Sequence, residues 1–543
     1  MLGLTEEQAM LRDLVRDYTE EHIVPHRERL DRERFYPRAI HDDLVEMGIL
    51  GMSIPEDCGG MGLGGADAAL VYEELARGCA GVATAIGANL LGIEPLLFFG
   101  TPEQKQRYLP KVATGAIAAY ALTEPDAGSD AGGIRTIAEP VDGGETFRLR
   151  GQKTYITNGG NAQIYTVFAC TDPTRGPRGV SCFAFQVDPE RLPPGISFPS
   201  KFDKMGINAS ETREIVFDGF EVKAEDIIGG RPGRGFMQAM AVFDNSRPMI
   251  GSIGVGLGQS AFDAALTYAH QRTQFGRKII EFSGLRQMFV DMWLRIEGAR
   301  MMVLGGARRV DRKFHHGSKE DVTAWAAMAK FMGSEASRVT LDALQTTGGY
   351  GYMNETPFPK MVRDHKILEI FEGTNQIQRE QVGRQFGQAF VKNGTAVPED
   401  LAESFESARL FGGGHAQMAW RVVDAAMEQV FGQTSRGEAL RGRQETHWVL
   451  AEMIGLAESS RFLAEACARS GEPEGSYIHA LGQAYARESL LGVAHRAELL
   501  LRGVDPDAHA PAASILEEAR TAANGLSGFR DLLGQRLLAA DRA

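Results

Sequence analysis

The chain has 543 residues, 43% of them hydrophobic and 24% charged, which makes it an ordinary globular protein too long for one core. Its formal net charge of -13 excludes a general nucleic-acid binder, which needs a basic face. Five cysteines, Cys58, Cys79, Cys170, Cys182 and Cys467, have neither metal-ligand nor disulfide spacing, so buried free thiols and no metal site are expected.

Residues 1–115 read as a helical domain. Thr5 precedes Glu6 and Glu7, and Leu11, Leu14, Val15 and Tyr18 recur at helical spacing. A Gly/Pro-rich break at 55–65 is followed by expected helices at 67–77, 82–99 and 102–114. From 116 to 230 the texture becomes short and alternating, with strands expected at 146–149 after Gly143-Gly144, at 164–169, at 181–187 and at 214–217 before Asp218-Gly219. This is a barrel-like or sandwich β-domain without helix–strand alternation, so a dinucleotide-binding parallel sheet is not expected. Residues 231–392 return to helical periodicity, notably at 285–310 and 321–346, and read as a helical bundle. A further helical extension, 393–543, is broken near 412–414, 471–475 and 506–511. The fold class is therefore multidomain α+β in the order α, β, α, with an added α extension.

Residues 1–10 carry two glutamates and no basic cluster, so no secretory signal is read and a cytoplasmic location is expected. The run 248–262 is weakly polar but glycine-broken and too short to span a bilayer.

Three clusters carry chemistry. Tyr120-Ala121-Leu122-Thr123-Glu124-Pro125-Asp126-Ala127-Gly128-Ser129-Asp130 ends a strand in a kinked turn, a concave patch of N–H and hydroxyl groups suited to a flavin edge or a pyrophosphate. Lys153-Thr154-Tyr155-Ile156-Thr157-Asn158-Gly159-Gly160 sets an aromatic ring and a hydroxyl before a tight turn, where Tyr155 either covers a flat ligand or packs in the sheet. The third joins Gln345-Thr346-Thr347-Gly348-Gly349-Tyr350-Gly351 to Ile370-Phe371-Glu372-Gly373-Thr374-Asn375-Gln376-Ile377-Gln378-Arg379. Glu372 lies there between apolar side chains and a helix start; losing water raises a carboxylate's proton affinity and makes it a general base for a weak carbon acid.

Together and in this order, these motifs resemble those of the flavin-dependent acyl-CoA dehydrogenases over residues 1–392. The resemblance implies an FAD enzyme that removes an α-proton and a β-hydride from an acyl-CoA thioester in fatty acid β-oxidation, with Glu372 as the base and flavin N5 as hydride acceptor. It also implies that the Glu372 N–H and a flavin ribityl hydroxyl hold the thioester carbonyl, and that electrons pass to an electron-transfer flavoprotein. Tyr120, Leu122, Thr123, Ser129, Tyr155, Ile156 and Thr157 match FAD contacts within one subunit, with Thr374 and Gln376 near the adenine-side phosphates. Arg272, Phe275, Gln345, Gly348 and Gly349 match contacts to a neighbouring subunit's FAD. Asp244, Arg247 and Arg384 match substrate-side positions, and Ser129 also the CoA arm.

The alternative base position in the family falls on Ser246, a hydroxyl, which leaves Glu372. Tyr155 stands where the family often has Trp, and Phe282-Ser283 where it often has Phe-Gln, so one amide contact to FAD is expected to be lost. Gly87 and Ala88 leave the acyl-pocket floor open, favouring medium-to-long chains, unless Leu90 or Leu91 closes it.

The extension resembles that of very-long-chain members, often membrane-associated dimers. Residues 401–543 carry 14 Arg, no Lys and 19 acidic residues, a poor attraction for anionic lipid, so a bundle covering the core of a homodimer is expected over a membrane-bound one. Two alternatives remain: an acyl-CoA oxidase using O₂, and a DNA-binding flavoprotein of the alkylation-response branch.

Overall fold

The computed structural model describes residues 2–398, 401–432, 444–504 and 509–540. Its first helix, Glu6–Tyr18, starts with reciprocal bonds: the Thr5 hydroxyl accepts from the Gln8 N–H and the Gln8 amide oxygen accepts from the Thr5 N–H. Helix Gly65–Gly78 is capped from a distance, by Asp311 accepting from the N–H groups of Gly65 and Ala66 at 2.6 and 2.9 Å. This bond ties the N-terminal helices to the end of the long helix Ser283–Phe314.

Helix Ala80–Phe99 is apolar on all sides and long enough by composition to cross a membrane, yet most of it is buried inside this protein. It packs between the sheet and helix Gly235–Gln271. Gly92 permits the closest approach, since a Cβ there would lie 2.8 Å from the Ala119 nitrogen of the first strand.

The middle of the chain is a seven-stranded curled sheet. Strand Ala118–Ala121 runs parallel to Ile164–Cys170, which pairs with Val180–Gln186 antiparallel on its other side. The longest ladder joins Thr146–Thr157 to Thr212–Lys223. Phe147, Tyr165, Phe183, Phe185 and Phe217 fill its interior, each such burial contributing about 1.5–3 kcal/mol.

Helices Gly235–Gln271, Ser283–Phe314, Thr323–Ala336, Val339–Thr347 and Phe358–Leu368 follow and share one core with the N-terminal helices through Leu70, Ile86, Ile253, Phe289 and Val303, and helix Asn375–Asn393 comes after them. In the extension, Gln444–Arg469 lies against Asn375–Asn393 and Ser283–Phe314, and Trp420, Leu450, Ile454 and Leu490 form a second core with Met328 and Phe331.

Three expectations are corrected. Asp218-Gly219 does not end a strand: Leu149 pairs with Phe220 and Arg150 with Asp218, so Gly219, at φ 81°, is a β-bulge inside a longer strand. The helix expected over 321–346 is two, Thr323–Ala336 and Val339–Thr347, broken where the Ser337 hydroxyl donates to the Ser334 carbonyl. Half of the break expected at 506–511 falls in residues 505–508, outside the described residues, and the other half is helix: Pro511 lies in the first turn of helix His509–Ala522, where its missing N–H costs nothing. All five cysteines are free and buried, and among the described residues no cluster of metal-ligating side chains occurs.

Candidate active site

Glu372 sits in the short connection between helices Phe358–Leu368 and Asn375–Asn393. Its φ of 58° and the 88° of Gly373 form a left-handed pair, a conformation that costs a non-glycine residue on the order of 1 kcal/mol and needs external support. The support is explicit. The Lys330 ammonium donates to the Gly373 carbonyl at 2.8 Å and to Asn375 Oδ1 at 2.9 Å, and Gln378 Nε2 donates to the carbonyls of Glu372 and Gly373 at 3.3 and 3.2 Å. Thr374 caps the next helix by accepting from the Ile377 N–H.

The carboxylate faces helix Gly235–Gln271, where the Ser246 hydroxyl donates to Glu372 Oε2 at 2.9 Å. Burial raises the Glu372 proton affinity above the ordinary carboxylate value of 4.5; the Ser246 hydrogen bond and the charges of Arg247 and Lys330 oppose that rise. The Lys330 ammonium is itself pushed down to about 7 by burial. Neither Lys330 nor the Ser246 bond was foreseen; a lone lysine in the apolar run 324–333 was the available signal.

The sheet supplies the opposite wall. Lys153, fully buried, donates to the Leu122 carbonyl at 3.0 Å and pairs with Glu124 at 2.6 Å, fastening the turn after Tyr120 to the strand before Tyr155. Between Lys153 and Ile156 the ladder slips, with Lys153 opposite Ile215 but Ile156 opposite Arg213. This bulge, with Tyr155 at φ 58°, leaves the Tyr155 ring 66% exposed and resting against Phe202. Leu122 and Ile156 turn their side chains into the core, which leaves only their main chain for a ligand. Ser129 and Gln376 are exposed, and Thr123 and Thr157 partly so. Tyr120 packs on Phe168 and Phe243, and its buried hydroxyl has no partner among the described residues. The charges of Glu372 and Glu94 add to the burial that raises it, so all three lie close together.

Asp244 and Arg247 form a buried pair at 3.2 Å one helical turn along, with Thr323 donating to Asp244 at 2.9 Å. Arg384 stands apart, exposed about 15 Å along its helix from the Thr374 cap. Arg272, Phe275, Gln345, Gly348 and Gly349 are exposed on a second surface. There Phe275, 94% exposed at φ 52°, tips the hairpin of Thr273–Gln274 and Arg277–Lys278. Stacked Tyr268 and Tyr350 join that hairpin to the glycine turn.

A cavity of about 280 Å³ begins at Ser246 and runs along helix Ala80–Phe99 past Leu90, Glu94, Leu97 and Phe98. Gly87 is not among the residues that line it, and a Cβ on Gly87 would meet Met249 and Tyr72 at 3.3–3.4 Å.

The model of the acyl-CoA dehydrogenase N-terminal domain matches residues 5–116, that of the middle domain 119–220 and that of the C-terminal domain 233–387. The probable acyl-CoA dehydrogenase FadE25 of Mycobacterium tuberculosis is 39% identical over 386 residues, 71% of this chain and 96% of that protein. This chain belongs to the acyl-CoA dehydrogenase family. As an acyl-CoA dehydrogenase it is an FAD-dependent oxidoreductase. The unpartnered Tyr120 hydroxyl, the outward Tyr155 ring and Gly128, around which a Cβ would meet nothing within 4 Å, fit a flat, polar-edged ring system.

Among solved structures, butyryl-CoA dehydrogenase from Megasphaera elsdenii matches this dehydrogenase with a TM-score of 0.66 at 37% identity, covering 70% of this chain and 98% of that one. Acyl-CoA dehydrogenase complexed with FAD from Bacillus anthracis reaches a TM-score of 0.86 at 26% identity and covers 98% of this chain and 95% of that one, so the likeness there includes the C-terminal helices.

Proposed function

We propose that this protein carries out α,β-dehydrogenation of an acyl-CoA thioester to the trans-2-enoyl-CoA, with Glu372 as the base that takes the α-proton. The observation that carries the reading is the Ser246–Glu372 hydrogen bond: a buried carboxylate on a strained connection, aimed by a hydroxyl at the wall formed by Tyr120. FAD, when bound, supplies the acceptor for the β-hydride. The residues do the rest. Burial strengthens Glu372 as a base, while the Ser246 hydrogen bond and the charges of Arg247 and Lys330 oppose that rise and favour its ionised form. Among the described residues no group accepts from the Glu372 N–H, which leaves that donor for the thioester oxygen, where negative charge develops.

Tyr120, Thr123, Ser129, Tyr155 and Thr157, with the main chain at Leu122 and Ile156, hold the cofactor's ring side; Thr374 and Gln376 lie toward its phosphates. The surface of Arg272, Phe275, Gln345, Gly348 and Gly349 serves a second copy's cofactor, and an almost wholly exposed phenyl ring on a hairpin tip supports that role. The protein is then a homodimer, placed in the cytoplasm, that passes electrons to an electron-transfer flavoprotein. Asp244 and Arg247 line the substrate arm, and a medium-to-long acyl chain occupies the cavity along Ala80–Phe99. Anaerobic mixing of the FAD-loaded protein with straight-chain acyl-CoAs of graded length tests this. Bleaching of the flavin absorbance that peaks at medium-to-long chains is expected; a flavin that no acyl-CoA reduces overturns the reading. Peroxide release in air at the turnover rate would instead assign an oxidase.

A further inference from the structure

Glu94 has no role in the chemistry above, and its position asks for one. It lies in the C-terminal third of helix Ala80–Phe99, is 0% exposed, and has apolar Ile93 before it and Pro95 after it. One carboxyl oxygen, Oε1, accepts from Asn245 Nδ2 at 2.7 Å. The other, Oε2, is buried with no hydrogen-bond partner among the described residues, and so is Asn245 Oδ1. Both residues line the cavity that has Ser246 in its wall, so two helices each bring a residue with an unsatisfied polar atom to the same cavity.

A plain hydrocarbon chain in that space would leave both atoms dry, and each such group costs about 1–3 kcal/mol. Leu90, Leu97, Phe98, Met249 and Phe314 supply the apolar part of the wall, and Ser53, Ser246 and His315 its other polar groups. We propose that this cavity is built for a CoA thioester whose acyl chain carries a hydroxyl group, held between Glu94 and Asn245. The hydroxyl donates to Asn245 Oδ1, an acceptor only, and accepts from the Glu94 carboxyl O–H. Glu94 is the specificity-determining residue, and the group it reads lies beyond the reacting carbons, because the cavity leaves the base at Ser246.

Charge supports the neutral form of Glu94. Burial raises its proton affinity well above the ordinary 4.5, Asn245 opposes that rise, and the negative charge of Glu372 adds to it. Among the described residues no cation forms an ion pair with Glu94, and its hydrogen-bonding neighbour is an amide. A protonated carboxyl donates, which an ammonium-bearing chain has no use for.

The proposal rests on the reading of Glu372 as the base, and its test is separated from that reading by measuring binding with the base removed. FAD-loaded Glu372→Gln protein is titrated with CoA thioesters of one chain length, either plain, hydroxyl-bearing at successive carbons or amino-bearing, and dissociation constants are taken from the flavin spectrum or calorimetry. At one carbon position the hydroxyl-bearing thioester is expected to bind about tenfold or more tighter than the plain one. Adding Glu94→Met reverses that order. Adding Glu94→Gln, which keeps an acceptor for Asn245 and a donor in the cavity, preserves it. Tightest binding of the plain or the amino-bearing thioester overturns the proposal. So does Glu94→Met weakening all thioesters equally, which would put Glu94 against the CoA portion. Turnover by protein with Glu372 intact reports separately on the base.

Discussion

Glu372 and Glu94 are two buried carboxylates of one site, on backbones of opposite character. Glu372 rides a left-handed connection held by Lys330 and Gln378, with a hydroxyl on its carboxylate and two cations nearby. Glu94 rides a regular, apolar helix with one amide for company. Desolvation raises the proton affinity of both, but a hydroxyl and two cations oppose it at Glu372 and a single amide at Glu94, so the ionised form is favoured more at the first and the neutral form more at the second. Environment, not residue type, divides the labour.

Breaking the charged member is expected to have the largest effect. Glu372→Gln lowers kcat by about 10³-fold or more while FAD stays bound, and steady-state turnover with an artificial electron acceptor measures it. Lys330→Met comes next. Losing the ammonium lets the Glu372 proton affinity rise further, so the acid limb of the pH profile of kcat/KM moves to higher pH and activity at pH 6 falls by about tenfold. Ser246→Ala moves that limb in the same direction by less, about threefold at pH 6, because one hydrogen bond is lost and no charge.

The smallest effect sharpens the neutral member. A carboxyl whose folded proton affinity lies above its unfolded 4.5 contributes stability that is full below 4.5 and is lost as pH rises through the folded value. Glu94→Gln removes that loss. Its thermal midpoint, relative to the parent protein, should therefore climb as pH rises above 5 and level off once pH passes the folded value; a constant difference would show that the folded proton affinity of Glu94 is not raised.

The sequence made the order of helical and strand segments legible because periodicity is local, and it made Glu372 stand out because its neighbours are apolar. What it hid was set by distance along the chain. The Ser246 contact joins residues 126 apart, and the Glu94–Asn245 contact joins residues 151 apart. Asp218-Gly219 has the chemistry of a turn, and only pairing with Leu149 and Arg150 makes it a bulge. Gly87 read as open space because no local signal says that Met249 and Tyr72 fill it. Lys330 and Glu94 share one trait visible in retrospect: each is a single charge inside an apolar helical run, where desolvation must be answered by a partner or by a change of protonation.

The central claim is that Glu372, and not its buried neighbour, takes the α-proton. Rapid anaerobic mixing of an acyl-CoA that bleaches the parent flavin with the FAD-loaded Glu372→Gln and Glu94→Gln proteins tests it in one experiment. The account predicts a flavin that stays oxidised in the first and bleaches within about tenfold of the parent rate in the second. Bleaching of Glu372→Gln together with a silent Glu94→Gln would contradict it.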